Sequence, residues 1–372
     1  VRDEKTALID SVWKPYTDEF IENLKNTIDL NEIDYIIANH GEPDHAGALG
    51  ELLELIPGTP VYCTKSGKKS LQGHFHQDWN FRTVKSGDKL DLGSKEITFI
   101  EAPMLHWPDT MMSYLSGENI LFSNDIFGQH IAADQMYDYR IKPDILEFEL
   151  MKYFANIIGP FKKNAKIKLK ELHEMELKID TICPAHGVIF KENPEYVIKK
   201  YEQYVNDYKE PVINVIYESM YGSTSLMAET IAAGIRAELP GVEVRLMNSA
   251  KTDNSDMVTE IFRSAALAVG SPNLNHGIMN SVASILDEIR PMKYSGKKAI
   301  AFGSYGWSPG HVDIIEDMLK DSGIEVTDKL AVNWRPDDET LKKCFEFGRK
   351  FANDIDIEFD TQISDRDTIV NE

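Results

Sequence analysis

The first half of the chain alternates short apolar runs with longer stretches in which apolar residues recur every three or four positions. Short apolar runs bounded by polar residues predict strands, and the periodic stretches predict amphipathic helices. The densest strand signals are separated by glycine-containing turns, which indicates two sheets packed between helices. Strands are predicted at 7–12, 33–38, 60–64, 89–92, 96–101, 111–115, 119–122 and 179–184, and helical patterns at 17–28, 46–55, 147–177 and 194–207.

From residue 212 onward the pattern becomes regular, with five apolar runs alternating with five amphipathic stretches. Continuous apolar runs are typical of parallel strands that are covered on both faces. This order predicts a doubly wound open parallel sheet, with ligands expected at the carboxyl ends of its strands. The strands are predicted at 212–217, 242–248, 266–270, 298–303 and 325–332, and the helices at 226–238, 256–263, 280–289, 311–321 and 338–355.

The length of 372 residues predicts two domains, because a single hydrophobic core usually stops growing below this size. A charged segment, 209–211, separates the last helix of the first half from the first strand of the regular series. We therefore predict domains at 1–210 and 211–358, followed by a polar, acidic tail at 359–372.

Composition and charge exclude several classes of function. The 61 acidic residues exceed the 40 basic ones and give a net charge of −21, which repels nucleic-acid backbones. The chain has no apolar run long enough to span a membrane. Its three cysteines, Cys63, Cys183 and Cys344, form no CxxC pair, and its first residues do not resemble a signal peptide. These features predict a cytoplasmic protein with neither a nucleic-acid nor a membrane partner.

A group of potential metal ligands follows predicted strands in the first half. Four of them fall within six residues in a predicted loop at 40–45. Because the chain is rich in Asp and Glu, such a cluster by itself could also be a chance grouping on the surface. Three more follow other predicted strands, and seven ligands on strand-end loops suit a binuclear centre with one bridging carboxylate. The seven candidates are His40, Glu42, Asp44, His45, His106, Asp125 and His186.

Three strand-end loops in the second half form a second candidate site. The first loop is rich in hydroxyl groups and leads into a helix, so its N–H groups can bind a phosphate, although such a turn is often only a helix cap. Small residues in the other two loops permit close backbone approach, and two aromatic residues can cover a planar ring. The loop residues are Ser219, Met220, Tyr221, Gly222, Ser223, Thr224, Ser271, Pro272, Asn273, Leu274, Asn275, Ser304, Tyr305, Gly306 and Trp307.

The order and spacing of the seven metal candidates resemble the diiron site of the flavodiiron proteins, or A-type flavoproteins, within the metallo-β-lactamase superfamily. Zinc hydrolases of that superfamily have histidine at the position of Glu42, and a carboxylate there gives a harder site that favours iron. The three loops of the second half resemble the FMN site of flavodoxin-like domains. A glycine-rich dinucleotide fingerprint is absent, which favours FMN over NAD or FAD.

The resemblance implies a fold of α/β and α+β type, namely a metallo-β-lactamase-like αββα sandwich followed by a flavodoxin-like doubly wound sheet. It implies FMN and two iron ions as cofactors, and reduction of nitric oxide to nitrous oxide, of dioxygen to water, or of both, with electrons from rubredoxin through FMN. It also implies a head-to-tail homodimer or a dimer of dimers. In the implied ligand set, His40, Glu42 and His106 hold one iron, Asp44, His45 and His186 hold the other, and Asp125 bridges them.

Family members usually begin some tens of residues earlier, so we expect the first strands of the metal domain to be missing from this sequence. Two alternative functions remain open. The first is a zinc-dependent hydrolase fused to a flavodoxin domain, against which Glu42 argues, and the second is an electron carrier whose first half is only a scaffold.

Four other segments allow two interpretations each. His74 and His76 have metal-like spacing but follow a helical stretch, which favours a surface or packing role. His130 either orients a ligand or packs, and the turn at 107–109 is either rigid structure or part of the site. The segment at 334–336 is predicted to be a packed loop, with a position near the flavin as the alternative.

Overall fold

The computed structural model describes residues 1–355 and divides the chain into two compact units, Val1–Asn206 and the part that begins at Asp207. The tail predicted at 359–372 lies outside the described residues. Within residues 1–355, no helix has both the length and the apolar composition needed to cross a lipid bilayer.

The first unit combines two sheets with flanking helices. Its strands are β1 (Ala7–Ile9), β2 (Tyr35–Ile37), β3 (Val61–Thr64), β4 (Phe81–Val84), β5 (Lys89–Asp91), β6 (Glu96–Glu101), β7 (Met111–Leu115), β8 (Ile120–Asn124) and β9 (Thr181–Pro184). Its helices are α1 (Thr17–Thr27), α2 (Pro43–Ala46), α3 (Leu49–Leu55), α4 (Lys65–Phe75), α5 (Pro143–Tyr153), α6 (Lys162–Glu174) and α7 (Pro194–Tyr204). Strands β1 to β4 form a parallel sheet in chain order, and β5 to β9 form a sheet that is antiparallel except for the pair β8 and β9.

The two sheets pack face to face. Ile37 of β2 belongs to an apolar cluster that includes Phe99 of the second sheet, whereas its neighbour Ile36 belongs to a cluster that includes Leu52 of α3. Successive residues of a strand point to opposite faces, so the first sheet is covered by the second sheet on one side and by helices on the other. Tyr62 stacks on Phe99 between the sheets, with ring centroids 5.8 Å apart. The predicted sandwich of two sheets between helices is confirmed.

Some predicted elements of this unit are shorter or divided in the structure. The strand predicted at 7–12 ends at Ile9, because Asp10 has a left-handed backbone with φ 55°. The helix predicted at 46–55 divides into α2 and α3 at Gly47, where a Cβ atom would come within 2.4 Å of the Lys14 backbone nitrogen. The helical stretch predicted at 147–177 also divides, because Pro160 between α5 and α6 has no N–H to donate. Strand β4 was not predicted, since its residues are exposed or half-buried and form no apolar run.

The second unit is a parallel sheet with strand order β11-β10-β12-β13-β14. Its strands are β10 (Glu210–Tyr217), β11 (Glu243–Asn248), β12 (Ser264–Gly270), β13 (Lys298–Tyr305) and β14 (Glu325–Asn333). They alternate with α8 (Ser223–Glu238), α9 (Asn254–Arg263), α10 (Asn280–Glu288), α11 (His311–Asp321) and α12 (Asp338–Asn353). This is the flavodoxin-like strand order, so the predicted doubly wound sheet is confirmed. The order in which the chain adds strands reverses between β10 and β12, and ligands bind at such a point in doubly wound sheets.

Candidate metal centre and flavin site

The cluster at 40–45 lies in the turn from β2 into α2. Glu42 precedes α2 with an extended backbone, and Pro43 is the first residue of the helix. Proline favours this position because its φ angle is already helical, and it forces the preceding residue to be extended. The chain therefore turns sharply between Glu42 and Asp44, which separates the four predicted ligands of this segment into two pairs.

Each pair joins a different group of ligands. In the first group, the Glu42 Oε2 atom lies 3.0 Å from His40 Nε2 and 3.2 Å from His106 Nε2. In the second group, the Asp44 Oδ2 atom lies 3.4 Å from His45 Nε2 and 3.3 Å from His186 Nε2. The ligand atoms within each group lie within 4.8 Å of one another. The structure therefore brings together the three residues predicted for each metal.

Asp125, which follows β8, lies between the two groups and is fully buried. Its Oδ2 atom is 3.5 Å from His40 Nε2 and 3.7 Å from His106 Nε2. Its Oδ1 atom is 3.1 Å from His45 Nε2 and 3.2 Å from His186 Nε2. Each carboxylate oxygen therefore faces one pair of histidines, as a bridging ligand requires.

The donor set fits two metal ions. His45 Nε2, Asp44 Oδ1 and Asp125 Oδ2 are buried and have no hydrogen-bond partner of acceptable geometry. Leaving such a group unsatisfied costs about 1–3 kcal/mol, which coordination to a cation would offset. Three carboxylates with four imidazoles give a negatively charged set of oxygen and nitrogen donors, and this suits iron.

Without a metal ion, the carboxylates of the cluster favour the protonated form of its histidines. Burial lowers the pKa of His40, but Asp109 and Glu42 outweigh burial and raise it to about 10. Burial likewise lowers the pKa of His186, and neighbouring carboxylates, Asp125 first, raise it to about 9. The carboxylates that hold these protons would also attract a metal cation, which has to displace the protons from the imidazole nitrogens in order to bind.

Asp109 lies behind the cluster, in the turn at 107–109 for which the sequence left open a rigid structure or a part of the site. Its Oδ1 atom lies 3.2 Å from His40 Nδ1, and its Oδ2 atom accepts a hydrogen bond of 2.8 Å from the Gly41 N–H group. A Cβ atom at Gly41 would come within 2.8 Å of Asp109 Oδ2 and 2.7 Å of Ser70 Cβ, so this approach requires glycine. The turn at 107–109 is therefore part of the site, and its acidic residue three positions after His106 is the only signal in the sequence.

Tyr153, at the end of α5, makes a second contact with the cluster, and no pattern in the sequence predicts it. Its hydroxyl group donates a hydrogen bond of 3.2 Å to Asp125 Oδ1. Burial, together with the Asp125 carboxylate, raises the pKa of Tyr153 well above its ordinary value, so the phenol keeps its proton. His130 lies beside this residue, with ring centroids 4.8 Å from Tyr153 and 5.6 Å from His186.

The HxH pair lies outside both ligand groups. Within residues 1–355, the two groups described above are the only clusters with metal-binding geometry. His74 is exposed and stacks on Trp107 at 6.3 Å, and His76 is the exposed residue that ends α4. Trp107 in turn packs edge-on against His40 at 5.2 Å, so Trp107 contacts both His74 and His40.

In the second unit, the first loop of the candidate flavin site begins helix α8. Gly222 caps the helix with φ 83°, a conformation that favours glycine, and its N–H group donates to Ser219 Oγ at 3.1 Å. The N–H groups in the first turn of a helix have no partner within the helix and attract anions. Tyr221, which precedes Gly222, is 87% exposed.

The three loops form one continuous edge of the sheet. Thr224 Oγ1 of the first loop lies 3.0 Å from Ser304 Oγ of the third, and both side chains are buried. The Asn273 N–H group of the second loop donates to the Ser304 carbonyl oxygen at 2.8 Å. A Cβ atom at Gly303 would come within 1.9 Å of the Ser271 carbonyl oxygen, so this close approach of the second and third loops needs glycine.

Two exposed tryptophan side chains lie at the third loop. Trp307 is 87% exposed, and Trp334 is also exposed and packs its ring against Gly306. The segment at 334–336 therefore lies beside the predicted flavin loops. FMN needs hydroxyl groups and a helix N-terminus to bind its phosphate, and aromatic side chains to pack against its planar ring. The three loops offer both.

Comparison with known proteins matches both halves of the chain. A family model described as ODP family beta lactamase matches residues 1–187, and a flavodoxin model matches residues 215–348. The anaerobic nitric oxide reductase flavorubredoxin of Vibrio vulnificus is 43% identical over 354 residues, which cover 95% of this chain and 72% of that protein. The protein of the same name from Escherichia coli K12 is 42% identical, covering 95% of this chain and 74% of that protein.

Solved structures show the same two-part architecture. The rubredoxin oxygen:oxidoreductase of Desulfovibrio gigas superposes with a TM-score of 0.92 at 34% identity, covering 95% of this chain and 89% of that one. The flavodiiron protein of Giardia intestinalis superposes with a TM-score of 0.90 at 29% identity, covering 94% of this chain and 87% of that one.

Proposed function

This chain belongs to the flavodiiron family, and from that premise we propose that it reduces nitric oxide to nitrous oxide, dioxygen to water, or both. It is an oxidoreductase whose cofactors are FMN and a diiron centre. Relatives at 42–44% identity are named for nitric oxide reduction, and a structural neighbour at 34% identity is named for oxygen and rubredoxin. These names support nitric oxide and dioxygen as substrates and a rubredoxin as the electron donor.

The observation that carries this proposal is the position of Asp125, with one carboxylate oxygen toward each group of three ligands. FMN supplies single-electron transfer, and a diiron centre supplies sites at which a small diatomic gas is bound and reduced. The proposed ligands are His40, Glu42 and His106 for one iron and Asp44, His45 and His186 for the other, with Asp125 bridging.

The surrounding residues would orient the centre, and both of its ligand groups are partly open to solvent. Asp109 lies 3.2 Å from the Nδ1 side of His40, so that Nε2 faces the cluster, and the Tyr153 hydroxyl holds a proton beside Asp125. The side chains of His40 and Asp125 are inaccessible, whereas those of Glu42 and His106 are 27% and 20% exposed and those of Asp44 and His186 are 39% and 27% exposed. A gas molecule and the protons that its reduction consumes can therefore reach the cluster at the partly exposed ligands of either group.

For FMN, we propose that the phosphate binds at the N-terminus of α8, within Ser219, Met220, Tyr221, Gly222, Ser223 and Thr224. The second and third loops would then contact the ribityl chain and the ring. Tyr305 and Trp307 supply aromatic surface, and the buried pair Thr224 and Ser304 fixes the distance between the first and third loops. The remaining proposed contacts are Ser271, Pro272, Asn273, Leu274, Asn275 and Gly306.

The assembly that we propose is a head-to-tail homodimer or a dimer of dimers, in which the FMN of one subunit serves the iron pair of the other. Sedimentation analysis at the concentration used for turnover tests this directly. A monomer that still turns over with reduced rubredoxin would contradict it.

A cytoplasmic location is also part of the proposal. It is supported by the three cysteines, which are all free in the structure, and by the acidic composition. Fractionation of the native host, with the protein found outside the cytoplasm, would contradict it.

The first experiment is anaerobic, electrode-monitored turnover of the iron- and FMN-replete protein with reduced rubredoxin, with nitric oxide and dioxygen supplied in separate runs. We expect consumption of at least one gas, and its loss in His186→Ala. The matched control is His173→Ala, since His173 is exposed on α6 outside both ligand groups. Zinc in the isolated protein together with hydrolytic turnover would instead support the hydrolase alternative.

A further inference from the structure

Gln129 connects the loop after β8 to the loop after β9. It lies four positions after Asp125 in the sequence, and its side chain is fully buried. The turn between these two residues is fixed, because the Gly128 N–H group donates a hydrogen bond of 3.0 Å to the Asp125 carbonyl oxygen. The Phe127 N–H group in the same turn donates one of 3.0 Å to the Tyr201 hydroxyl group. Gln129 therefore has a defined position relative to the proposed bridging ligand.

The amide group of Gln129 bonds to the loop after β9 through both of its polar atoms. Its Oε1 atom accepts a hydrogen bond of 2.7 Å from the Val188 N–H group. Its Nε2 atom lies 3.1 Å from the Phe127 carbonyl oxygen, 3.3 Å from that of His186 and 3.4 Å from that of Val188. The backbone N–H group of Gln129 also donates to the His186 carbonyl oxygen, at 3.1 Å. One residue therefore holds the loop both at His186 and two positions beyond it.

Gly187, between these two positions, permits the contact. Its backbone is left-handed with φ 87°, and a Cβ atom there would come within 2.1 Å of Gln129 Oε1 and 2.5 Å of the Gln129 carbonyl oxygen. Glycine is therefore needed both for the backbone conformation and for the close approach of the amide. The conformation of this loop and the position of the Gln129 side chain depend on each other.

The ring of His186 depends on its loop for its position. Its side chain is the most exposed of the four proposed histidine ligands. The two carboxylates that contact its ring, Asp44 and Asp125, both lie at Nε2. His40, by contrast, has Asp109 at its Nδ1 atom, on the side away from the cluster. The distance between His186 and Asp125 is therefore determined by how the loop after β9 is held.

We propose that Gln129 is a positioning residue of the metal centre, and that its buried amide sets the distance of 3.2 Å between His186 Nε2 and Asp125 Oδ1. The inference rests on the proposed function only in taking these two side chains as ligands of one iron. Without the amide, the Val188 N–H group loses its partner, and the loop would have to shift to pair that group with water. Iron would then bind more weakly at the second ligand group, which contains His186, than at the first.

Crystal structures of the iron-free full chain test the positioning directly. Gln129→Met keeps the length of the side chain and removes the amide. We expect the distance from His186 Nε2 to Asp125 Oδ1 to increase by more than about 0.5 Å, the tolerance within which a site has to be held. The distance of 3.1 Å from His45 Nε2 to the same oxygen should not change. Leu90→Ala is the control and should change neither distance, since Leu90 belongs to an apolar cluster that contains none of the proposed ligands.

Iron binding tests the consequence for the centre. Anomalous diffraction at the iron absorption edge measures the occupancy of each iron position separately, in crystals soaked at a series of iron concentrations. In Gln129→Met we expect binding about 10- to 100-fold weaker at the second ligand group, with the first group close to the wild type. Leu90→Ala should retain both irons. An unchanged distance between His186 and Asp125, unchanged iron occupancy, or equal loss of iron at both positions would overturn the positioning role.

Two further arms keep the result interpretable. If Gln129→Met does not fold, Gln129→Glu replaces it, because that side chain has the same shape and keeps the acceptor for the Val188 N–H group while it loses the amide donors. The same changes in distance and occupancy are expected there. Failure of the wild type to bind iron at either position would overturn the proposed function, whereas the iron-free distances would still decide whether Gln129 positions His186.

Discussion

The Asp109 Oδ1 atom lies 3.2 Å from the Nδ1 atom of His40, on the side of the imidazole away from the metal cluster. The Nε2 atom of His40 faces Glu42 and Asp125. A carboxylate behind a ligand histidine fixes both the tautomer and the ring orientation, and it makes the metal-facing nitrogen more basic. Asp109 would therefore act, through His40, on a metal ion held by the proposed ligands.

We expect Asp109→Asn to weaken iron binding about 10- to 100-fold, because loss of such a partner has an effect of this size in other metal sites. Chelator competition with iron quantification measures it. Asp138→Asn is the matched control, since Asp138 is also a buried acid of the first unit but accepts its hydrogen bonds from the backbone N–H groups of Lys191 and Glu192. Equal loss of iron in both variants would contradict a specific role for Asp109.

Removal of the Tyr153 hydroxyl should affect turnover rather than metal binding. A hydrogen bond to a charged group contributes about 1.5–3 kcal/mol, so Tyr153→Phe should lower kcat about tenfold or more while iron content stays normal. Tyr114→Phe provides the control, because that buried phenol bonds to Asn119 and to the Lys178 carbonyl oxygen instead. Unchanged gas consumption in Tyr153→Phe would show that the proton beside Asp125 is not used.

The contact between the Thr224 and Ser304 hydroxyl groups should contribute to the affinity for FMN. Thr224→Val keeps the shape of the side chain but removes the hydroxyl group and leaves Ser304 Oγ without that partner. We expect a loss of about 1.4 kcal/mol, or tenfold in the Kd for FMN measured by flavin fluorescence. Thr230→Val on the same helix removes a hydroxyl that bonds only to the Leu226 carbonyl oxygen, and it should retain normal FMN affinity and iron content.

The raised pKa values of His40, about 10, and His186, about 9, predict how the free energy of unfolding of the iron-free protein depends on pH. Both exceed the ordinary histidine value of 6.5, so the folded protein binds these protons more tightly than the unfolded chain does. Their stabilisation is complete below pH 6.5 and is lost as the pH rises through 9 and 10. Urea unfolding across this range should show the decline.

Iron should suppress this dependence, because the metal replaces the protons on the imidazole nitrogens. His186→Gln should also reduce the decline in the iron-free protein, since it removes one of the histidines whose pKa is raised. A free energy of unfolding that stays constant from pH 6.5 to 10 in the iron-free wild type would contradict the assignment.

The sequence by itself identified the elements and the chemistry that depend on local order. Hydrophobic runs located the strands of all three sheets except β4, since burial imposes a regular period on residues close together in the chain. The seven metal candidates could be selected because each follows a predicted strand, and the hydroxyl-rich loop before α8 because a helix start has a recognisable composition. The boundaries were less accurate where one residue determined them, as with the left-handed Asp10 and the tightly packed Gly47.

The tertiary structure alone decided the contacts between distant segments. Asp109 reaches Gly41 across 68 positions, and Tyr153 reaches Asp125 from a helix 28 positions away. Periodicity specifies which face of an element is buried, but the partner of a buried side chain depends on how the elements pack, and packing is a property of the whole unit.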